Sequence, residues 1–579
     1  MRSKASIACV MVGMLILGGS LQAHSKKNNN DKKMFNKIVD RYFDFYFKNY
    51  PTAGTDAGFH QYDDQLEDSS KDTLQAQISE LKKFESTLQT VDPKKLDLGS
   101  SLDYEVLENH IRASLLDLET LRGWQTNPDQ YGSIVSESIY GLVSRNFAPL
   151  EDRLRSVIER EKQVPKVFQA ARQNLKNPPK VYTEIALEQL EGTLDFFKKD
   201  VPAVFKEVRN KQLQAEFETA HQKAISELES YHAFLKEKIL PASKGDFRLG
   251  EELYRKKLLY EEMIDIPLDR LLKMGFENLR ENQKWFQETA AKIDPKKSSS
   301  EILTEMMKDH PSADHLLDEV RTVTNDLKVF LVDKKIVTLP SPVSPIVEET
   351  PPFARALYFA SMEAPGPYET KAKEAYYHVT PAESDWSAEK IEEHLQQFNR
   401  PVIVSTSAHE TYPGHYVQFL WQQKVRSKVR KLLGCNSNIE GWAHYTEQMT
   451  LDEGYGNGDS YLRLGQLQDA LLRNARFIVG IQMHTGHMSY EEAVDFFMKE
   501  GYQSRTNAER EVRRGTIEPT YMYYTYGKLE ILKLREDYKK VRGDKFSLSE
   551  FHDEFLKQGP APIPLIRRAL AGALHLGTF

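Results

Sequence analysis

Helical periodicity of the apolar residues dominates the sequence up to about residue 335 and constrains the fold more than any other feature. One stripe, with intervals of three and four residues, runs from Leu187 to Phe197, and another runs from Leu316 to Phe330. This spacing places apolar side chains along one face of an α-helix. The sequence therefore predicts a mostly α-helical protein whose core contains these stripes.

The helical pattern is interrupted at residues 339–352, L-P-S-P-V-S-P-I-V-E-E-T-P-P, where five of the fourteen residues are proline. Because proline lacks a backbone N–H and fixes its own φ angle, a continuous helix cannot pass through this segment. We predict a boundary there, between an N-terminal helical lobe at residues 24–345 and a C-terminal catalytic lobe at residues 346–579. Two later runs, A-R-A-L-Y-F-A-S-M and R-P-V-I-V-S-T-S, resemble strands and predict a small β element.

The first residues have the pattern of a secretory signal peptide. A charged start, M-R-S-K, precedes an apolar run and the small-residue segment S-L-Q-A, so cleavage after Ala23 is expected, with residues 1–23 removed. The apolar run is shorter than the ~20 residues that span a membrane. We expect a secreted or periplasmic protein without membrane contact after cleavage, in which Cys435 alone remains and forms no intrachain disulfide.

The overall charge argues against nucleic acid as a partner. Seventy-eight basic and 85 acidic residues give a net charge of -7, without long blocks of one sign. The sequence also has neither a glycine-rich phosphate loop nor a G-x-S-x-G motif, which disfavours nucleotide enzymes and serine hydrolases.

The stretch A-H-E-T-Y-P-G-H-Y, residues 408–416, resembles a zinc-protease motif with unusual spacing. The common form, H-E-x-x-H, returns two histidines to one helical face, but His409 and His415 are six residues apart. On a regular helix that spacing separates them by about 120°. Pro413 and Gly414 are residues that break or bulge a helix, and such a distortion would return His415 towards His409.

A zinc hydrolase needs three protein ligands, an open position for water and a carboxylate base. The stretch supplies two imidazoles and Glu410, and N-I-E-G-W-A-H-Y-T-E-Q-M follows 25 residues later. Glu440 is the best third ligand, and Glu447 or His444, on the same helical face, would orient a ligating imidazole. Singly, each residue is more typical of a solvated helix face or a turn; together they favour a metal site.

Two further features could supply a donor for the oxyanion formed when water attacks a carbonyl. Tyrosines cluster between Tyr521 and Tyr526, and His484 lies in I-Q-M-H-T-G-H-M. Most such side chains are structural. The residues alone do not choose among the tyrosines, and His484 stays a second candidate.

These motifs resemble the marks of the bacterial family 885 of proteins of unknown function. The marks are H-E-x-x-P-G-H-x-x-Q, here residues 409–418, then E-G-W-A-x-Y-x-E, here residues 440–447, and a late P-x-x-x-x-Y-x-x-G. The last is matched by Pro519, Tyr524 and Gly527, which singles out Tyr524. The N-terminal Y-P-T-A-G-T-D-A-G-F-H-Q-Y-D extends the resemblance to nearly the whole mature chain.

The resemblance implies a fold similar to gluzincin peptidases such as thimet oligopeptidase and thermostable carboxypeptidase, with two helical lobes and a deep channel. It implies zinc bound by His409, His415 and Glu440, with Glu410 as the base. The function expected is a zinc metallopeptidase, a hydrolase of short peptides; whether it acts at either terminus or internally stays open.

Two other functions stay open at this point. One is a metal-dependent amidase or esterase acting on non-peptide acyl compounds. The other is a non-catalytic helical protein that binds peptides or a partner and retains a relic metal site.

Overall fold

A computed structural model describes residues 30–355 and 358–574 of the chain. The expected signal peptide, residues 1–23, lies outside the described residues. Within the described part, none of the helices combines the length and the apolar character needed to cross a membrane. Within the described residues, Cys435 is buried and carries a free thiol.

Helices make up most of residues 30–335, which confirms the mostly α-helical prediction. They are α1 (residues 30–49), α2 (Pro51–Asp56), α3 (Lys71–Leu88), α4 (Leu98–Leu115), α5 (Gly123–Thr126), α6 (Asp129–Ser144), α7 (Leu150–Glu161), α8 (Val164–Asn174), α9 (Lys180–Asp195), α10 (Val201–Phe205), α11 (Lys211–Phe234), α12 (Glu251–Glu262), α13 (Leu268–Ile293), α14 (Ser299–Met307) and α15 (Leu316–Lys334). Both predicted stripes pack in hydrophobic cores, the first on α9 and the following turn and the second on α15.

A three-stranded sheet follows the proline-rich segment. Its strands are β1 (Ile346–Glu349), β2 (Ala360–Glu363) and β3 (Tyr376–Val379), in the order β1-β3-β2. β3 pairs in parallel with β1 and antiparallel with β2, so β2 is an edge strand. The small β element is therefore confirmed, although β2 begins later than the first strand-like run.

The remaining helices build the C-terminal part. They are α16 (Ala388–Gln397), α17 (Arg400–Glu410), α18 (His415–Gln422), α19 (Lys428–Leu432), α20 (Asn436–Asp452), α21 (Ser460–His484), α22 (Tyr490–Lys499), α23 (Arg505–Ile517), α24 (Tyr523–Arg542), α25 (Leu548–Leu556) and α26 (Ile563–Ala573). The prediction of a strand at R-P-V-I-V-S-T-S was wrong, because these residues form most of α17. Asn399 caps the helix by accepting from Val402 N, and packing against α15, α20 and α21 outweighs the β propensity of the run.

Glycines allow α20 and α24 to pack closely. A Cβ on Gly441 would lie 2.5 Å from Cα of Gly527, and a Cβ on Gly527 would lie 1.8 Å from the carbonyl oxygen of Ser437. Since no side chain fits between these backbones, both glycines are required. This contact brings the first turn of α24, which carries Tyr524, beside the Glu440 side of α20.

Hydrophobic cores join segments from both sides of residue 345. In one of them, Leu279 and Phe286 of α13 pack with Leu464 and Leu467 of α21. In another, α15 packs with β1, β3 and α17. The lobe division at 345 stays a prediction, and the described cores cross it.

Candidate metal centre

The histidine motif occupies two consecutive helices. α17 ends at Glu410, and Thr411 leaves helical geometry with φ −115° and ψ −85°. A cis Tyr412–Pro413 peptide and Gly414 complete the turn, and α18 begins at His415. The helix is thus broken between the histidines, which places one at the end of α17 and the other at the start of α18.

Close backbone packing fixes this turn. A Cβ on Gly414 would lie 1.8 Å from the carbonyl oxygen of His409 and 2.5 Å from that of Ala408. The indole Nε1 of Trp442, on α20, donates to the carbonyl oxygens of Pro413 at 3.0 Å and of Gly414 at 3.3 Å. The E-G-W-A segment therefore supports the turn as well as carrying Glu440.

Three side chains converge as the sequence predicted. Nε2 of His409 and Nε2 of His415 each lie 3.3 Å from Oε2 of Glu440. Their ligand atoms all lie within 4.8 Å of one another, and the two imidazole rings are inclined at 86°. His409 and His415 are buried, and Glu440 is half-buried.

The chemistry of these atoms fits a divalent cation. Oε2 of Glu440 is buried and has no hydrogen-bond partner among the described residues, although two imidazole nitrogens face it. Nitrogen and oxygen ligands lie about 2.0–2.2 Å from zinc, so two ligands of a tetrahedral site are separated by about 3.4 Å. The two spacings between a histidine Nε2 and Oε2 of Glu440, 3.3 Å each, match that value.

The same atoms are electrostatically coupled. Burial alone would lower the pKa of His409, but the neighbouring carboxylates of Glu440 and Glu447 raise it to about 9. Burial would raise the pKa of Glu440, yet the imidazoles of His415 and His409 beside it hold the pKa well below its usual range. The carboxylate is therefore kept ionised, the form that binds a cation.

A hydrogen-bonded network lies behind His409. Nδ1 of His409 lies 2.7 Å from Oε1 of Glu447, whose Oε2 lies 3.0 Å from Nδ1 of His444. Arg473, on α21, pairs with Glu447 at 3.0 Å. Of the two residues that the sequence proposed as orienting groups, Glu447 contacts the imidazole of His409 directly and His444 contacts Glu447.

The three side chains open onto a cavity of about 530 Å³, which Glu410 and Tyr524 also line. The ring of Tyr524 lies 6.2 Å from that of His409, and its hydroxyl accepts a hydrogen bond from Nη2 of Arg514 at 3.1 Å. Burial raises the pKa of Tyr524, so the phenol keeps its proton. The structure therefore brings five predicted site residues to one cavity.

His484 is not among them, which corrects its assignment as an oxyanion donor. It ends α21, where Nε2 lies 2.7 Å from the carbonyl oxygen of Gly515 and the ring packs beside Phe247 and Tyr254. Burial lowers its pKa to about 4. His484 is fully buried in a helix junction, a common role for an isolated histidine.

Sequence reasoning missed a group of arginines that line the cavity: Arg473, Arg476, Arg510 and Arg514. The pairs on α21 and α23 are spaced by three and four residues, which places each pair on one helical face. That spacing is the only signal of these arginines in the sequence. Because solvated helix faces show the same spacing, it does not by itself identify residues that line a cavity.

A family model described as "Bacterial protein of unknown function (DUF885)" matches residues 51–570. The chain belongs to this family. Membership establishes the relationship predicted from the motifs, while the family description specifies no activity.

Two solved structures share this fold. A candidate lipoprotein of unknown function from Shewanella oneidensis is 29% identical, with a TM-score of 0.76, and the match covers 93% of this chain and 99% of that one. A candidate lipoprotein from Colwellia psychrerythraea is 17% identical, with a TM-score of 0.79, over 94% and 99% of the two chains. A comparison with curated protein sequences gives no match.

Proposed function

We propose that this DUF885 protein is a zinc-dependent metallopeptidase that hydrolyses short peptides. The observation that carries the proposal is the convergence of His409, His415 and Glu440 on one cavity that Glu410 also lines. This is the donor set of a catalytic zinc site with three protein ligands and an adjacent carboxylate.

The metal would be held by the two histidine Nε2 atoms and the Glu440 carboxylate. Zinc held by these residues would supply Lewis acidity towards a water molecule and the carbonyl of the scissile bond. Glu447 holds His409 in the orientation that directs Nε2 towards the ligand set.

Each remaining residue has a role that follows from its position. Glu410 accepts the proton of the attacking water and returns it to the leaving amine. Tyr524 donates its hydroxyl proton in a hydrogen bond to the carbonyl oxygen as negative charge develops on it. Because Arg514 already donates to the Tyr524 oxygen, the phenolic proton is left for the substrate.

The cavity favours a peptide as the acyl substrate. Ala360, Ser361 and Met362 of the edge strand β2 line it. An extended peptide can add to such an edge through backbone hydrogen bonds. A volume of about 530 Å³ is in the range of sites for small ligands, which favours short peptides over folded proteins.

The proposal also includes a two-lobed, gluzincin-like architecture and a location outside the cytoplasm. We infer a gluzincin-like arrangement of two helical lobes around the cavity, since α17, α18 and α20 supply the ligands in the order typical of that class. An extracytoplasmic location is supported by the expected signal peptide and by two solved structures described as candidate lipoproteins. Because proteins of one fold can have different functions, the proposal is based on the residues of the site and not on similarity of fold.

The test is to incubate the zinc-loaded protein with a mixture of short synthetic peptides and to identify the products by mass spectrometry. We expect cleavage that a chelator abolishes and that Glu410→Gln reduces by ~10²-fold or more with zinc retained. An unchanged rate in Glu410→Gln would overturn the role of the base.

The same experiment separates the other functions. Turnover of acylated amines or esters without peptide cleavage would favour an amidase or esterase. Stoichiometric zinc without turnover of any substrate would favour a non-catalytic binding protein.

A further inference from the structure

Arg510 differs from the other arginines of the cavity because its guanidinium forms no close ion pair within the described part of the chain, although Glu511, Glu188 and Glu393 act on its charge at longer range. The other three form close ion pairs: Arg473 with Glu447 at 3.0 Å, Arg476 with Glu511 at 2.6 Å, and Arg514 with Glu518 at 2.8 Å. Among the described residues, no hydrogen bond or ion pair is recorded for the Arg510 guanidinium.

Its surroundings withdraw this charge from water. Arg510 is half-buried on α23, and its guanidinium carbon lies 4.3 Å from the ring centroid of Phe359. Burial lowers the pKa of Arg510 from its usual value. An arginine held over an aromatic ring retains its planar set of N–H donors, which matches a carboxylate.

The position of Phe359 indicates which end of a peptide would meet Arg510. Phe359 immediately precedes Ala360, the first residue of β2, and both line the cavity. A peptide that pairs antiparallel with β2 places its C-terminus at this end of the strand. In the parallel orientation a positively charged N-terminus would lie there instead, and Arg510 would repel it.

We propose that Arg510 binds the free C-terminal carboxylate of the substrate, so that the protein removes residues from the C-terminal end of short peptides. This specificity rests on the proposed peptidase function. Arg510 acts as a specificity residue, since it contacts the terminus rather than the scissile bond.

The test compares two N-acetylated peptides that differ only in a free or an amidated C-terminus. For the wild type, we expect kcat/KM to be about 10- to 100-fold higher for the free acid, chiefly through a lower KM. Arg510→Gln should remove that preference. Arg513→Gln is the matched control, because Arg513 lies on the same helix but pairs with Glu188 at 2.8 Å outside the cavity lining.

A binding measurement separates failure of this inference from failure of the peptidase proposal. Calorimetry with the zinc-loaded Glu410→Gln variant should show tighter binding of the acid than of the amide, whether or not any peptide is cleaved. Equal binding and equal hydrolysis of the two peptides would overturn the role of Arg510 and leave the peptidase proposal intact.

Two further outcomes are decisive. A preference for the acid that persists in Arg510→Gln would assign the carboxylate to another group. The proposal would also be contradicted if a peptide with an amidated C-terminus and an internal acidic side chain were bound and cleaved as well as the free acid. The comparison of acid and amide in the wild type decides the C-terminal preference even if the variant does not fold.

Discussion

The carboxylate of Glu447 lies 2.7 Å from Nδ1 of His409, on the opposite side of the imidazole from Nε2, which faces Glu440. Burial would raise the pKa of Glu447, but Arg473, His444 and His409 hold it well below its usual range. An ionised acceptor at Nδ1 fixes the ring and increases the basicity of Nε2. The orientation of His409, a proposed metal ligand, therefore depends on a residue outside the proposed ligand set.

Replacing this acceptor should weaken metal binding. We expect Glu447→Gln to raise the Kd for zinc by about 10- to 100-fold, because the amide is a poorer acceptor and leaves Arg473 without its charge partner. Zinc titration with a competing chelator measures the change. Glu453→Gln, an exposed residue at the end of the same helix, is the control and should leave Kd unaltered. Equal affinities for both variants would contradict the role of Glu447.

The turn between α17 and α18 should not tolerate a side chain at Gly414. A Cβ there would lie 1.8 Å from the carbonyl oxygen of His409, so Gly414→Ala must displace the backbone that carries a ligand. We expect a loss of about 3 kcal/mol of unfolding free energy together with loss of zinc binding. Gly123→Ala is the control, since its Cβ would meet only side-chain oxygens at 3.5 Å or more. Full zinc affinity in Gly414→Ala would show that the turn does not position the histidines.

Tyr524 should act on the rate more than on substrate binding. Removal of its hydroxyl in Tyr524→Phe leaves the developing negative charge without one donor, and we expect kcat to fall by about 10²-fold with a smaller change in KM. Steady-state peptide hydrolysis gives both constants. Tyr526→Phe, a buried neighbour on the same helix that does not line the cavity, should retain kcat. A fall confined to KM would make Tyr524 a binding residue.

Glu262 should make stability depend on pH. This carboxylate accepts from the backbone N–H groups of Asn436 and Ser437 at the start of α20, and burial raises its pKa to about 7. A folded-state pKa above the unfolded value of 4.5 means that the folded protein binds the proton more tightly. The contribution, about 3 kcal/mol, is therefore fully present below pH ~4.5 and is lost as the pH rises through ~7.

Thermal unfolding at about pH 5 and about pH 8, on either side of the folded-state pKa of about 7, measures this effect. The quantity compared between the wild type and the variants is the decrease in melting temperature from the lower to the higher pH. The decrease in melting temperature between the two pH values should be smaller in Glu262→Gln than in the wild type, because the amide does not titrate. Glu251→Gln, exposed in the first turn of α12, should keep the wild-type decrease. Identical pH profiles for all three proteins would contradict the assignment.

The sequence predicted the helical class and the small sheet, since apolar periodicity and proline spacing are local signals. It failed at residues 400–407, where a β-branched run forms most of α17. Burial of that segment against α15, α20 and α21 determines the outcome, and such tertiary contacts are not visible in a local pattern. Asn399 at the cap and Pro401 in the first turn were the local signs of a helix start.

The convergence of His409, His415 and Glu440 was predictable because their residue types, order and spacing are restrictive. The distortion assigned to Pro413 and Gly414 is found as a complete helix break, with Gly414 required by its close approach to the His409 carbonyl. His484 was misassigned because an isolated histidine carries no information about what its ring contacts. The arginines were missed because α21 and α23 meet the site only in the folded chain.

Zinc stoichiometry tests the central claim most directly, since everything else depends on three side chains holding one cation. We expect about one tightly bound zinc per wild-type chain by metal analysis after dialysis, and strongly reduced retention when His415→Ala or Glu440→Gln removes a ligand. His487→Ala, which alters an exposed histidine, should retain the metal. Wild-type zinc content in both ligand variants would contradict the site, and with it the proposed hydrolysis.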